Sequence, residues 1–418
     1  MNILLANKYF YIKGGAENSF FQTAKLLKDW GHDISYFSMK HNNNFFSEFE
    51  QYFVNNINYE NTGFIKQISL AAKVLYSLEA RKKMDRLIRA HKPDIAHLNN
   101  IYHQISPSII HSLKQFHIPI VMSLRDYKIS CASYLMVANK RPCEACQNEK
   151  YYNCLLKRCV KNSIIKSFLS TVEMYLHHKF FKIYDLVDIF ISPSRFLKSK
   201  VEEMGFKGKV VYIPNFINFD EYHPCYTSCN RSICYVGRLS HEKGVDTLIE
   251  AVRGINIELK IIGDGALKNK LEDMATVTGI SSANSSNVKF LGYMSDEKLK
   301  SEIKNSLFLV IPSEWYENNP RSVIEAFALG KPVIGARIGG IPELVKDGVS
   351  GYTFEPGNIN DLKEKIQYLL SDYANIVNMG KNAREIAANE YNSELYYNRL
   401  LQVYDEAIMI NKRRRVHK

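Results

Sequence analysis

The chain has 418 residues, of which 46% are hydrophobic, 23% charged and 12% aromatic, and its formal net charge is +12. That is enough for two or three domains with apolar cores, and it excludes a collagen-like, disordered or disulfide-dense chain. The most apolar stretches, residues 118–124 and 307–311, are far shorter than the ~20 residues a membrane span needs.

The charge is unevenly spread. Residues 1–213 hold 30 basic and 17 acidic side chains, against 25 and 26 in residues 214–418. A basic half beside a neutral one suggests an anion-rich partner. Residues 1–8 lack the basic region and long apolar run of a signal peptide and read as a strand, so a cytoplasmic protein is expected.

Two α/β series follow one another. The first runs through residues 3–6, a Gly14-Gly15 loop, a helix over 16–29, and strands near 33–38, 94–98, 118–124, 186–192 and 210–213. The second has strands near 232–236, 259–262, 288–291, 307–311 and 332–335. Its helices fall near 244–253, 267–276, 297–304 and 321–329. Short, continuous apolar strands between helices predict parallel sheets covered on both faces. Residues 213–224 break both patterns and mark a hinge. The expected architecture is α/β: two doubly wound, Rossmann-like domains facing a central cleft.

In such sheets ligands bind at the carboxyl ends of strands, where helix N-termini attract anions. Three segments occupy such positions: residues 7–15 with Gly14 and Gly15, residues 237–244 with the cations Arg238 and Lys243, and Gly263-Asp264-Gly265. None matches a Walker loop or the dinucleotide spacing. The richest stretch is 312–332. There Glu317 lies in a polar loop and Glu325 two turns inside the next helix. Pro320 suits a first helical turn. Backbone N–H groups from Asn318 and Asn319 through Arg321 and Ser322 are placed to meet phosphate.

Glu317 and Glu325, with Gly237-Arg238…Lys243-Gly244 before them and Gly339-Gly340-Ile341-Pro342-Glu343 after them, resemble the retaining glycosyltransferases of family 4, which have the GT-B fold. The resemblance covers essentially the whole chain. It implies an acceptor-binding domain at 1–213, with the C-terminal helix 390–418 packed back on it, and a nucleotide-sugar-binding domain at 214–389. By the same resemblance Arg238 and Lys243 bind a nucleotide diphosphate, Glu317 the donor sugar and Glu325 the ribose. The reaction it implies is metal-independent and retains anomeric configuration. The expected partners are a nucleotide-diphosphate sugar, a lipid-linked or polysaccharide acceptor of the bacterial surface and an anionic membrane at the inner face of the cell membrane, and not nucleic acid.

The chain departs from the family pattern in two places. Arg125-Asp126 stands where many relatives have His-Asp, and Asn99 where many have His. Arginine stays protonated and cannot act as a neutral base. His97, Asn99, His103, Arg125 and Asp126 form the expected acceptor side. Two other readings follow: a sugar-nucleotide epimerase of the same fold, or a non-catalytic nucleotide-sugar-binding subunit.

Five cysteines fall between 131 and 159. Cys131, Cys143, Cys146 and Cys159 read either as ligands of a structural zinc or as free thiols; no cofactor is expected for catalysis. Next, Ile164, Ile165, Phe168, Val172, Tyr175, Leu176 and Phe180 repeat at helical spacing among lysines. This helix either packs on the first domain or lies on an anionic bilayer.

Overall fold

The computed structural model describes residues 1–56, 73, 75–103, 105–226, 231–277 and 287–416. They form two compact units. Unit 1 takes Met1–Met136, Glu144–Ile213 and Tyr396–Lys418, and unit 2 takes Val137–Cys143 and Pro214–Leu395.

Unit 1 opens with β1 (Asn2–Ala6), α1 (Gly15–Asp29), β2 (Asp33–Phe37), α2 (Leu78–His91), β3 (Ile95–Asn99) and β4 (Ile120–Ser123). A short hairpin, β5 (Val137–Ala138) and β6 (Arg141–Pro142), goes with unit 2. Unit 1 resumes with α3 (Tyr152–Leu156), α4 (Ile164–Tyr175), β7 (Ile189–Ser192) and β8 (Val210–Tyr212). Its sheet is parallel, in the order β2-β1-β3-β4-β7-β8. Ile3, Leu4, Ile95, Leu98, Val121 and Phe190 are fully buried, as continuous apolar runs covered on both faces should be.

The C-terminal helix, Ser393–Val416, belongs to unit 1 from Tyr396 onward, later than residue 390. Trp30 stacks on Tyr397 at 4.2 Å, and the Tyr404 hydroxyl lies 2.8 Å from His97 Nδ1. The basic tail is tied down too. Arg414 bonds Asp188 at 2.9 Å, and Arg415 bonds Asn411 and the His117 carbonyl.

The helical repeat from Ile164 to Phe180 is α4 followed by a π-helical turn, Leu176–Phe180. Its orientation is unusual. α4 buries Ser167, Ser170, Thr171, Glu173 and Met174 and exposes Ile164, Ile165 and Phe168. Two of the buried polar side chains are satisfied locally: Ser167 accepts from the Val160 amide at 3.1 Å, and Thr171 donates to the Ser167 carbonyl at 2.8 Å.

Unit 2 contains β9 (Ser232–Val236), α5 (Val245–Ala251), β10 (Glu258–Ile262), β11 (Val288–Gly292), β12 (Leu309–Ile311), α6 (Arg321–Ala328), β13 (Val333–Ala336) and β14 (Gly351–Phe354). The parallel order is β11-β10-β9-β12-β13-β14. The order reverses between β9 and β12, so a crevice opens beyond their carboxyl ends. Among the described residues no helix is long and apolar enough to cross a membrane.

Candidate active site

The loop after β9 is built on glycines that leave no room for a side chain. Gly263 has φ +145°, and a Cβ there would fall 1.9 Å from the Gly237 carbonyl oxygen. Gly244 has φ +60°, and a Cβ would meet the Pro312 carbonyl at 2.1 Å. These close approaches bring the loops after β9, β10 and β12 together. The Leu239 amide donates to the Asp264 carbonyl at 2.9 Å, and the Glu314 amide to the Glu242 carbonyl at 2.9 Å.

Lys243 and Glu317 meet at this junction. The Lys243 ammonium donates to Glu317 Oε1, and Ser313 Oγ donates to the same oxygen at 2.6 Å. Lys243 also lies 5.2 Å from the centre of the Trp315 ring. Burial acts to raise the Glu317 carboxyl, but Lys243 and Ser313 outweigh it and hold it below the usual carboxylate range. Arg238 is exposed on the same loop, 3.6 Å from Glu242. A cluster with one exposed cation and one half-buried cation beside loop backbone suits a polyanion.

Pro320 is the residue before α6, with φ −63° and ψ 114°, rather than its first helical residue. Asn319 is held by Asn215: its Oδ1 accepts from the Asn215 amide at 3.2 Å and its carbonyl from Asn215 Nδ2 at 3.0 Å. Asn318 and Ser322 are half-buried beside it. Arg321 bonds the Phe216 carbonyl at 3.2 Å and pairs with Glu325 at 3.3 Å. Glu325 is therefore engaged by Arg321, one turn away, and by the Tyr222 hydroxyl. Asp264 is exposed, its carboxylate accepting from the Gly265 amide at 2.7 Å.

In unit 1, Gly14 and Gly15 are exposed at the start of α1, and no backbone strain demands glycine at either. Lys13 in the same loop donates to the Tyr9 hydroxyl at 3.1 Å. His97, read as part of the acceptor side, is a packed residue of unit 1. It is buried, with Nδ1 2.8 Å from Tyr404 and Nε2 2.7 Å from Ser123, and burial holds it neutral, at about 3. It ties the C-terminal helix to β3 and β4. Asn99 accepts from Arg125 Nε at 3.3 Å. Asp126 accepts from the Lys128 amide at 2.9 Å, and burial pushes its carboxyl up to about 6.

His103 lies 3.5 Å from Glu173, and Glu173 accepts from Lys128 Nζ at 2.7 Å. Lys128 and Glu173 are almost completely buried. Burial alone would raise the Glu173 carboxyl, but Lys128 and His103 hold it at about 2. This ion pair joins the loop after β4 to α4. No spacing rule reveals it, because its partners lie 45 residues apart.

Cys131, Cys143, Cys146 and Cys159 read from sequence either as ligands of a structural zinc or as thiols. Among the described residues no three His, Cys, Asp or Glu side chains are grouped to hold a metal ion. Instead the Cys159 thiol donates to Cys154, which lowers the Cys154 thiol and raises that of Cys159.

Residues 13–221 match the family described as Glycosyltransferase Family 4, and residues 229–386 match Glycosyl transferases group 1. An uncharacterized glycosyltransferase of Methanocaldococcus jannaschii is 32% identical over 220 residues, which span 52% of this chain and 60% of that protein. An uncharacterized 42.6 kDa protein in the cps region of Klebsiella pneumoniae is 27% identical over 403 residues, or 90% of this chain and 99% of the relative. Sucrose-phosphate synthase from Thermosynechococcus elongatus superposes with a TM-score of 0.73 at 20% identity, over 97% of this chain and 98% of its own. Anabaena HepE, solved with UDP and glucose, gives 0.65 at 19% identity over 96% and 99%. These structures share the GT-B fold with this chain. With one family profile alone spanning half its length, the chain belongs to glycosyltransferase family 4.

Proposed function

We propose that the protein is a retaining glycosyltransferase that moves a sugar from a nucleotide-diphosphate donor to a lipid-linked or polysaccharide acceptor in bacterial surface polysaccharide biosynthesis. One observation carries the donor half of this reading. Lys243, Ser313 and Glu317 converge beyond the carboxyl ends of β9 and β12, with Arg238 exposed on the same loop as Lys243, where a sheet of this order offers its ligand crevice. The UDP and glucose bound to HepE support a nucleotide-sugar donor, and the cps-region relative supports a surface polysaccharide.

In this reading Lys243 and Arg238 neutralise the charge that develops on the leaving diphosphate, the part a divalent ion takes elsewhere. Glu317 accepts hydrogen bonds from the donor sugar and Glu325 from the ribose. The acceptor hydroxyl attacks the anomeric carbon from the face the diphosphate leaves. The bond from that carbon to the phosphate oxygen breaks, and the acceptor proton passes to the departing phosphate. The work takes place at the inner face of the cell membrane, with the protein peripheral to it.

Release of nucleoside diphosphate from a panel of nucleotide sugars tests this directly. One sugar should be turned over, with or without a chelator. Glu317→Ala should abolish the release, and the product should keep the donor's anomeric configuration by NMR. Binding without any turnover, across the panel and with lipid-linked acceptors, would instead favour a non-catalytic nucleotide-sugar-binding subunit.

A further inference from the structure

α4 is an amphipathic helix mounted with its polar side inward. Its buried residues, Ser167, Ser170, Thr171, Glu173 and Met174, recur at helical spacing, and the buried Glu173–Lys128 pair, at 2.7 Å, locks that orientation. The apolar side is forced outward. Ile164 is 52% exposed, Ile165 80% and Phe168 55%, and Leu156 at the end of the neighbouring α3 is 71% exposed. Four large apolar side chains held in water by a rigid support are a surface built to meet something.

The charges around them indicate what. Lys150, Lys157, Arg158, Lys161 and Lys166 are all exposed. No acidic residue occurs between Glu149 and Glu173. Apolar side chains on a stretch whose only charges are cations match the chemistry of an anionic lipid surface, with acyl chains below and phosphate groups at the rim. A second copy of the chain would bring the same cations face to face and repel. We propose that the outward face of α3 and α4 docks on an anionic bilayer, with Ile165 and Phe168 inserted and the five cations among the headgroups. This gives the membrane-peripheral reading above its contact surface. The basic C-terminal tail is a weaker candidate, because Arg414 and Arg415 are already bonded within unit 1.

Co-sedimentation of the full chain with phosphatidylglycerol–phosphatidylcholine vesicles, and with phosphatidylcholine alone, tests the assignment. The parent should sediment with the anionic vesicles and detach as salt shortens the Debye length to ~3 Å near 1 M. Ile165→Ser with Phe168→Ser should weaken binding by at least about tenfold. Lys161→Glu with Lys166→Glu should weaken it by at least about fivefold for each charge lost. Phe168→Trp, which changes the fold least, should show blue-shifted emission with anionic vesicles only. Unchanged recovery of both double variants, or an unshifted Phe168→Trp emission, overturns the proposal. So does a parent dimer that the Ser variant converts to monomer without any vesicle binding. Transfer of the sugar to a water-soluble acceptor, read as release of nucleoside diphosphate, should persist in the Ser variant. Failure of that activity in the parent would sink the transferase reading and leave the vesicle result standing.

Discussion

Lys243 and Glu317 neutralise one another, so in the proposed function a diphosphate has to compete with a carboxylate for its cation. Lys243→Ala and Arg238→Ala should each weaken nucleoside diphosphate binding by about 1.5–3 kcal/mol, the range for hydrogen bonds to charged groups. Glu317→Gln should bind the diphosphate at least as tightly as the parent while losing transfer. Calorimetry separates the two effects, and unchanged affinity in both cation variants would remove the loop from the site. His97 makes a prediction about acid. Its folded value, about 3, lies below the ordinary ~6.5. The unfolded chain therefore takes up a proton that the folded one refuses, and stability is lost as pH falls from about 6.5 toward 3. At pH 5 the cost is about 2 kcal/mol for this residue alone. Asp126, held near 6, acts the other way, its contribution being lost as pH rises through 6. Urea melts at pH 7 and pH 5 should show a loss on acidification that is smaller in His97→Gln. An equal loss in both proteins would place the acid sensitivity elsewhere.

Elements were legible to the extent that burial leaves a mark on sequence. The strands of both sheets are short aliphatic runs, and their positions follow from that pattern to within a few residues. The strand Gly351–Phe354 alternates Gly, Tyr, Thr and Phe, too weak a run to separate from a loop. α4 is the instructive case. Its apolar period predicts a helix but says nothing about which side faces inward, and a buried ion pair reversed the usual answer. The junction of Lys243 and Glu317 was legible because its cations, glycines and acids sit close together in sequence. The packing of His97 was not, because the Tyr404 that occupies it lies 307 residues away. Glu173→Gln should test the α4 anchor by leaving Lys128 buried without its counter-charge, at a cost of about 3–5 kcal/mol. Chemical denaturation should show it, and Glu173→Leu with Lys128→Met should recover much of the loss. A near-neutral Glu173→Gln would mean that the anchor lies elsewhere.

At the scale of the molecule the chain crosses between its units more than once, since Val137–Cys143 joins unit 2 and Tyr396–Lys418 returns to unit 1. Unit 2 is otherwise one continuous stretch with a Rossmann strand order. Removing residues 396–418 takes Tyr396, Leu400, Tyr404 and Ala407, all buried, out of unit 1. Differential scanning calorimetry of that truncation should show an early transition for unit 1, with a second transition still raised by nucleoside diphosphate. A single unshifted transition would contradict the division of the core. The same connection sets a timetable for the nascent chain. A ribosome makes Pro214–Leu395 before it makes the helix that closes unit 1, and at ~5–20 residues per second that delay is roughly ten to forty seconds. During that interval His97 has no Tyr404 and the β3–β4 side of unit 1 has no lid, and by its end unit 2 has every residue it needs. The half of the protein synthesised first is thus the last to mature, and it is the half that chaperones and proteases can reach while it waits.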